Sequence, residues 1–331
     1  MNILYAIQGT GNGHLARAQD IVPELKKFGN LDLFVSGVQA DIALPFPVKY
    51  KSKGLSFYFG KNGGIDFIKT LQKNSPRDLV IEINSFPVEK YDLVINDFEP
   101  ISAWAAKKKD VPIVGLGHQA SFLSKKTPRP KLADPLAEWI FKNYAPVKKY
   151  VGFHFKEYDK NIYTPVIRSV IRQAKALDKG HYTVYLPAYA DEKLVKWLST
   201  FPKICWEVFS KHCTKAYRAE NTHIFPASDK IFVESMVNAT GVLCGAGFET
   251  PAEAIYLQKK LMVVPMKHQY EQQCNAIALK KMGVDCIKKL KRKSLEKIEA
   301  WLDSDYVPDF NFPNVADKAV EHAIQKFQQF I

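Results

Sequence analysis

The chain lacks the features that mark membrane-spanning, secreted and metal-binding proteins. Its 331 residues contain no apolar run close to the ~18 residues of a membrane-spanning helix. The five cysteines are odd in number and show no CxxC spacing, which argues against both a metal site and a disulfide framework. No basic segment precedes the first strand-like run, so a secretory signal is not expected. We therefore expect reduced thiols, a cytoplasmic location and no bound metal.

Acidic residues are fewer than basic residues. The 34 aspartates and glutamates are outnumbered by 47 lysines and arginines, which gives a formal net charge of +13. This balance favours an anionic partner such as nucleic acid, anionic lipid or a phosphorylated substrate. Nucleic acid is disfavoured, because the aromatic residues are not interleaved with the lysine clusters as stacking platforms would be. The basic cluster at 125–131 lies beside the aromatic-rich segment 139–144, a combination that suits an anionic membrane surface on the cytoplasmic side.

Strand-like and helix-like runs alternate along both halves of the chain, which is the pattern of βαβ units and parallel sheets. The short apolar runs at 93–95 (LVI) and 112–116 (PIVGL) suit strands that are buried on both faces. A helix is predicted at 65–74. The fold class is therefore α/β, with two open and mostly parallel sheets.

The length of the chain exceeds one ordinary hydrophobic core, so two domains are expected. We place the first domain at 1–157 and the second at 158–314. The tail at 315–331 has a helical apolar period and is expected to pack back on the first domain.

Two glycine-containing turns each join a strand to a helix. Residues 8–14 (QGTGNGH) follow the first strand, and residues 245–250 (GAGFET) follow a strand near the other end. Glycine lets the backbone adopt positive φ, and the free N–H groups of the following helix can bind an anion. Gly-x-Gly-x-Gly spacing, with no acidic residue at the tip of the second strand, disfavours nicotinamide or flavin binding. The two turns predict a polyphosphate-bearing ligand between the sheets.

Several polar residues directly follow predicted strands of the first half. In parallel α/β sheets, ligands bind beyond the carboxyl ends of the strands. The residues at these positions are His14, Asp97, His118 and Gln119. A helix cap or a structural hydrogen bond is an alternative role for His14, and helix capping is an alternative role for Asp97.

The second half contains a longer motif. Residues 244–253 (CGAGFETPAE) are followed by 265–276 (PMKHQYEQQCNA), and together they resemble the donor-binding signature of nucleotide-sugar glycosyltransferases with the GT-B architecture. Residues 9–14 resemble the glycine loop of the branches that make peptidoglycan precursors and galactolipids, and of natural-product glycosyltransferases. The resemblance covers the whole chain and implies two facing Rossmann-like domains with a cleft between them.

The resemblance also implies roles for individual residues. The donor would be a nucleotide-diphosphate sugar, a co-substrate rather than a bound cofactor. His14 would act as general base with Asp97 as its partner, because an imidazole titrates near neutral pH. The implied donor-binding residues are Phe225 at the base, Gly247, Phe248 and Thr250 at the diphosphate, Glu253 at the ribose, and Glu271 and Gln272 at the sugar. The implied acceptor side comprises Gly11, Gly13, His118 and Gln119.

Two features depart from the family pattern. Glu249 places a carboxylate inside the phosphate loop, where it would repel a diphosphate unless its side chain turns away. The segment 268–275 is one residue shorter than in the peptidoglycan branch and lacks its Asp-Arg pair. The identity of the donor sugar therefore does not carry over from that branch.

The predicted activity is transfer of a hexosyl or N-acetylhexosaminyl group from a UDP-sugar to a hydroxyl or phosphate of an acceptor. The basic surface suits a lipid-linked or envelope-polymer acceptor. Two alternatives stay open. A nucleotide-sugar epimerase on the same scaffold would use carboxylates from among Asp97, Glu249 and Glu271. The second alternative is a non-catalytic module that binds nucleotides or nucleic acid.

Overall fold

Strands and helices alternate along the computed structural model, which describes residues 1–37, 44–54 and 76–330. The helix predicted at 65–74 lies outside these residues. Two sheets of seven strands each organise the described part of the chain, and nearly all their neighbouring strands are parallel. The predicted α/β class with two mostly parallel sheets is thus confirmed.

The first sheet is entirely parallel and has the order β3-β2-β1-β4-β5-β6-β7. Its strands are β1 (Asn2–Gln8), β2 (Asn30–Ser36), β3 (Tyr50–Ser52), β4 (Leu93–Asp97), β5 (Ile113–Gly117), β6 (Lys149–Phe153) and β7 (Ile162–Tyr163). The interior of β1 is fully buried because helices cover both faces of the sheet, which explains its continuous apolar run. The strand order reverses between β1 and β4, and such a reversal opens a crevice at the carboxyl ends.

The second sheet repeats this plan with the order β10-β11-β9-β8-β12-β13-β14. Its strands are β8 (His181–Tyr185), β9 (Cys205–Ser210), β10 (Tyr217–Ala219), β11 (Thr222–Pro226), β12 (Gly241–Gly245), β13 (Lys260–Val264) and β14 (Asp285–Cys286). Only the edge strand β10 pairs antiparallel with its neighbour. The order reverses between β8 and β12, so the second crevice opens beside the turn that follows β12.

Helices connect the strands on both sides of each sheet. They are α1 (Asn12–Leu25), α2 (Pro76–Ser85), α3 (Pro100–Lys109), α4 (Pro135–Asn143), α5 (Ser169–Arg172), α6 (Asp191–Leu198), α7 (Asp229–Asn238), α8 (Glu249–Tyr256), α9 (Tyr270–Lys281), α10 (Leu295–Asp303) and α11 (Ala316–Gln328). Helix α4 was not predicted, although it carries a clear start signal. Asp134 caps it by accepting from two backbone N–H groups, and Pro135 occupies its first turn.

The last strand of the first sheet suggests a later domain boundary than the predicted one at residue 157. The domain bounds stay a prediction. Strand β7 lies beyond residue 157 and pairs with β6. We therefore propose that the boundary falls after Tyr163. Helix α11 packs against α1, β5 and β6 of the first sheet, and its buried face includes Val320 and Phe327.

The α11 contact can be tested by truncating one buried side chain. We expect Val320→Ala to lower the free energy of unfolding by about 2 kcal/mol, because it removes buried methyl groups and leaves a cavity. The exposed Gln325 on the same helix provides the control. Gln325→Ala should change the free energy by less than about 0.5 kcal/mol in the same urea titration. Equal stability of the two variants would contradict the packing of α11.

Candidate active site

Two helix N-termini face one cleft between the sheets. The cleft has a volume of about 290 Å³, with residues 10–14 on one wall and residues 247–250 on the other. Gly11 precedes α1 with φ at 95°, and Phe248 precedes α8; neither provides a side-chain cap. Helix N-termini carry unpaired N–H groups and partial positive charge. Two of them on opposite walls of one cleft therefore favour binding of an anion between them. A Cβ on Gly247 would meet only open space, so a ligand can approach its backbone closely.

His14 and Asp97 meet at the crevice of the first sheet. The Nδ1 atom of His14 lies 2.9 Å from Oδ1 of Asp97, which sits fully buried at the end of β4. Arg17 donates from Nη2 to both oxygens of Asp97, at 2.8 and 2.7 Å. Burial of Asp97 opposes its ionisation, but the charges of Arg17 and His14 outweigh burial and lower the pKa of Asp97. The carboxylate is therefore ionised and can hold the imidazole in one orientation.

Arg17 was missed in the sequence analysis. It follows His14 by three residues on α1, and this spacing places two side chains on the same helix face. An arginine on the face that packs against the sheet, among the buried Ala16 and Ala18, is the signal that would have found it. Arg17 is 2% exposed, so its charge must be matched by buried partners.

Glu249 supplies the second partner of Arg17 from across the cleft. It occupies the first turn of α8, and its carboxylate accepts a short hydrogen bond from Nη1 of Arg17. A Cβ on Gly13 would overlap this carboxylate, so a larger residue there would displace the end of the Glu249 side chain. The carboxylate that departs from the family pattern thus bridges the two halves.

His118 lies behind the cleft wall rather than on it. Its ring stacks on Phe248 with a centroid separation of 3.9 Å, and its Nδ1 lies 2.9 Å from the backbone oxygen of Phe153. Its Nε2 lies 3.0 Å from the side-chain amide of Asn275, in α9. Burial lowers the pKa of His118 to about 3. The ring is therefore neutral near neutral pH and joins the two halves structurally.

Gln119 and Glu271 form another contact between the halves. Gln119 donates from Nε2 to Oε2 of Glu271 at 2.9 Å. Burial raises the pKa of Glu271. The other amide atom of Gln119, Oε1, is buried and has no hydrogen-bond partner among the described residues.

Glu253 lines the cleft but is already ion-paired. Both of its carboxylate oxygens accept from Arg168, at 2.5 and 2.9 Å, and Arg168 also donates to Asp229 at 2.7 Å. Burial raises the pKa of Glu253 even though the charge of Arg168 opposes this rise. Arg168 comes from the connection between the sheets, and nothing in the motif signalled that it reaches the cleft.

The remaining predicted donor residues differ in their relation to the cleft. Thr250 lines it, and so does Gln272, whose Oε1 accepts from the backbone N–H of Met266 at 2.9 Å. Phe225 stacks on Phe209 with the ring centroids 5.5 Å apart. Phe209, not Phe225, lines the cleft.

A second cavity adjoins the first. Its volume is about 170 Å³, and apolar and aromatic side chains supply much of its wall: Phe98, Leu136, Ile140, Phe141, Tyr144 and Tyr270. Three of the predicted site residues, His14, Gln119 and Glu271, line both cavities. A group bound in one cavity can therefore meet a group bound in the other beside the imidazole of His14.

The described residues 1–37, 44–54 and 76–330 contain neither a metal-binding cluster nor a membrane-spanning helix. Within them, no three His, Cys, Asp or Glu side chains lie close enough together to hold a metal ion. None of their helices combines the length and apolarity that crossing a bilayer requires.

Two Rossmann-like sheets that face each other across a cleft define the GT-B class of fold. The sequence model of Glycosyl transferase family 1 matches residues 1–304. The chain therefore belongs to this family. No curated protein matches the chain.

Solved structures agree with the class. The glycotransferase of kitacinnamycin matches with 13% identity and a TM-score of 0.56, over 98% of this chain and 95% of that one. UGT89C1 of Arabidopsis thaliana, complexed with UDP-L-rhamnose, matches with 11% identity and a TM-score of 0.58 over 99% and 98%. MurG of Acinetobacter baumannii matches with 12% identity and a TM-score of 0.55 over 99% of both chains. At these identities the likeness establishes the GT-B fold alone.

The buried His118 ring predicts a pH dependence of stability. The folded protein keeps the ring neutral, because burial lowers its pKa to about 3, whereas the unfolded chain takes up a proton below roughly pH 6.5. Stability is therefore lost as the pH falls below that value. We expect the melting temperature to be lower at about pH 5 than at about pH 7. The difference should be smaller in His118→Phe, which keeps a ring against Phe248. An equal fall in both proteins, measured by circular dichroism, would contradict the assignment.

Proposed function

We propose that the protein transfers a sugar from a nucleotide-diphosphate donor, a UDP-sugar, to a hydroxyl or phosphate of an acceptor. The donor binds in the 290 Å³ cleft and the acceptor in the adjoining 170 Å³ cavity. The observation that carries this proposal is the position of His14, paired with Asp97, on the wall that both cavities share. UDP-sugars and aglycones bound to structural neighbours support the same arrangement.

The donor is held mainly by main-chain groups and by charge. Its diphosphate binds at the N-terminus of α8, where Gly247 leaves the backbone open and the uncapped N–H groups include that of Thr250. Glu253 accepts hydrogen bonds from the ribose, and its bidentate contact with Arg168 fixes the carboxylate for that task. Phe225 supports Phe209 from behind, beside the base.

The sugar group lies toward the wall shared by the two cavities. Glu271 and Gln272 begin α9 there, and their side chains are suited to sugar hydroxyls. The amide of Gln119, which lines both cavities, contacts a further hydroxyl. His118 supports this wall through Phe248 rather than touching the acceptor.

When the acceptor is a hydroxyl, the reaction requires removal of one proton from it. The Nε2 atom of His14 accepts that proton while Asp97 accepts from Nδ1–H and stabilises the imidazolium that forms. The acceptor oxygen then bonds to the anomeric carbon of the donor, and the bond from that carbon to the diphosphate oxygen breaks. The N-terminus of α8 stabilises the negative charge on the departing diphosphate. No bound cofactor takes part in this proposal.

Replacement of His14 tests the assignment of the base. We expect His14→Ala to lower kcat by about 10²- to 10⁴-fold, because general-base catalysis is worth that much. The dissociation constant for UDP should stay within about twofold, since the imidazole contacts the acceptor rather than the nucleotide. Calorimetry with UDP and a transfer assay with the donor found in a thermal-shift screen measure both quantities.

The exposed His212 offers a matched control, and His212→Ala should leave both quantities unchanged. Full activity of His14→Ala would contradict the proposed base. Conversion of the donor sugar without any acceptor would favour the epimerase instead.

The acceptor is proposed to be lipid-linked and presented by an anionic membrane. Large apolar side chains are exposed around α4, with Leu132 at 91%, Leu136 at 56% and Trp139 at 59%. Leu136 also lines the acceptor cavity, so the apolar surface continues into it. Exposed lysines lie close to these residues in the sequence and would attract acidic headgroups: Lys125, Lys126, Lys131 and Lys142.

Vesicle binding tests the membrane proposal. We expect the protein to sediment with vesicles that contain phosphatidylglycerol, and the double variant Leu132→Ser, Trp139→Ser to bind at least about tenfold more weakly, because two apolar side chains no longer enter the interface. Leu177→Ser removes an exposed leucine from the second half of the chain and should bind normally. Unchanged binding of the double variant would contradict the proposal that this surface binds the membrane. Failure of the unmodified protein to bind would contradict it as well.

A further inference from the structure

Glu249 occupies a position that the proposed function gives to the donor. Its carboxylate lies at the first turn of α8, beside the N–H groups that would hold the diphosphate. The Glu249 side chain is 21% exposed, while the Arg17 side chain that it contacts is 2% exposed. Glu249 lines the cleft and Arg17 does not, so the carboxylate lies between the guanidinium and the cleft. An anion from the cleft reaches Arg17 only when Glu249 moves aside.

The charges around Arg17 make this arrangement unstable once a donor enters. One guanidinium serves two carboxylates, with Nη2 on Asp97 and Nη1 on Glu249. A diphosphate at the N-terminus of α8 adds negative charge next to Glu249, and like charges at this range repel strongly where water is partly excluded. Asp97 is fully buried and cannot move away, whereas Glu249 borders the open cleft.

The Glu249 carboxylate and a donor diphosphate would interact with the same groups of the protein. A carboxylate and a phosphate both accept hydrogen bonds from a guanidinium, and both are attracted by a helix N-terminus. Glu249 satisfies both attractions in this structure. Gly13 provides the room, since any side chain there would overlap the carboxylate.

We propose that Glu249 is an internal competitor of the donor, whose diphosphate displaces the carboxylate from Arg17. This inference rests on the proposed function and adds to it a further donor-binding residue, Arg17, and a residue that weakens donor affinity, Glu249. In the bound state Nη1 of Arg17 donates to the diphosphate while Nη2 keeps its hold on Asp97. Arg17 then contacts both the diphosphate and the partner of the base.

The test compares UDP with uridine, which lacks the phosphates. We expect Glu249→Gln to bind UDP more tightly by a factor on the order of ten, because the competing charge is gone while the size of the side chain is kept. Affinity for uridine should stay the same within about twofold. Isothermal titration calorimetry measures both, and a thermal melt checks that the variant is folded.

Glu299→Gln serves as a control, because it changes the net charge equally at an exposed position on α10. It should leave both affinities unaltered. Unchanged or weaker UDP binding by Glu249→Gln would overturn the inference while leaving the proposed function standing. If the unmodified protein bound neither UDP nor uridine, the proposed function itself would fall, and this inference with it.

Discussion

The arrangement of the site depends on one buried guanidinium. Arg17 is held between Asp97 of the first sheet and Glu249 of the second half, and an arginine at this depth requires such partners. Breaking its buried ion pair with Asp97 costs about 3–5 kcal/mol, because one charge is left uncompensated. Arg17 orients Asp97, which orients His14, and its contact with Glu249 brings the start of α8 against the start of α1. The catalytic geometry and the facing of the two sheets therefore share one interaction.

Other contacts between the halves surround this pair. His118 stacks on Phe248, and Gln119 donates to Glu271. On the acceptor side, the hydroxyl of Tyr270 donates to Glu138 at 2.8 Å. These contacts join residues that follow strands or begin helices. The topology places such residues at the carboxyl edges of both sheets. The cleft is consequently built from both halves, and a change in their relative position would alter the donor and acceptor cavities together.

The sequence was sufficient for features that depend on local pattern. Short apolar runs such as 93–95 mark strands because a parallel sheet buries both faces. Glycines at 11 and 247 mark turns because only they tolerate the required φ or leave a backbone open. Contacts between distant residues were not predictable. Arg17 and Glu249 are 232 positions apart, and their contact depends on how the two sheets face each other. The same holds for Arg168, which lies in the segment that connects the two sheets. Its ion pair with Glu253, a residue of the donor-binding motif, was not predictable from that motif.

The central claim is that a diphosphate binds at the N-terminus of α8 opposite His14. A crystal structure of the UDP complex tests it most directly. The account predicts a phosphate oxygen within about 3 Å of the backbone nitrogen of Thr250, with the phosphate facing the side of the cleft that carries His14. A nucleotide bound away from this turn, or a diphosphate that points away from the imidazole, would contradict the account.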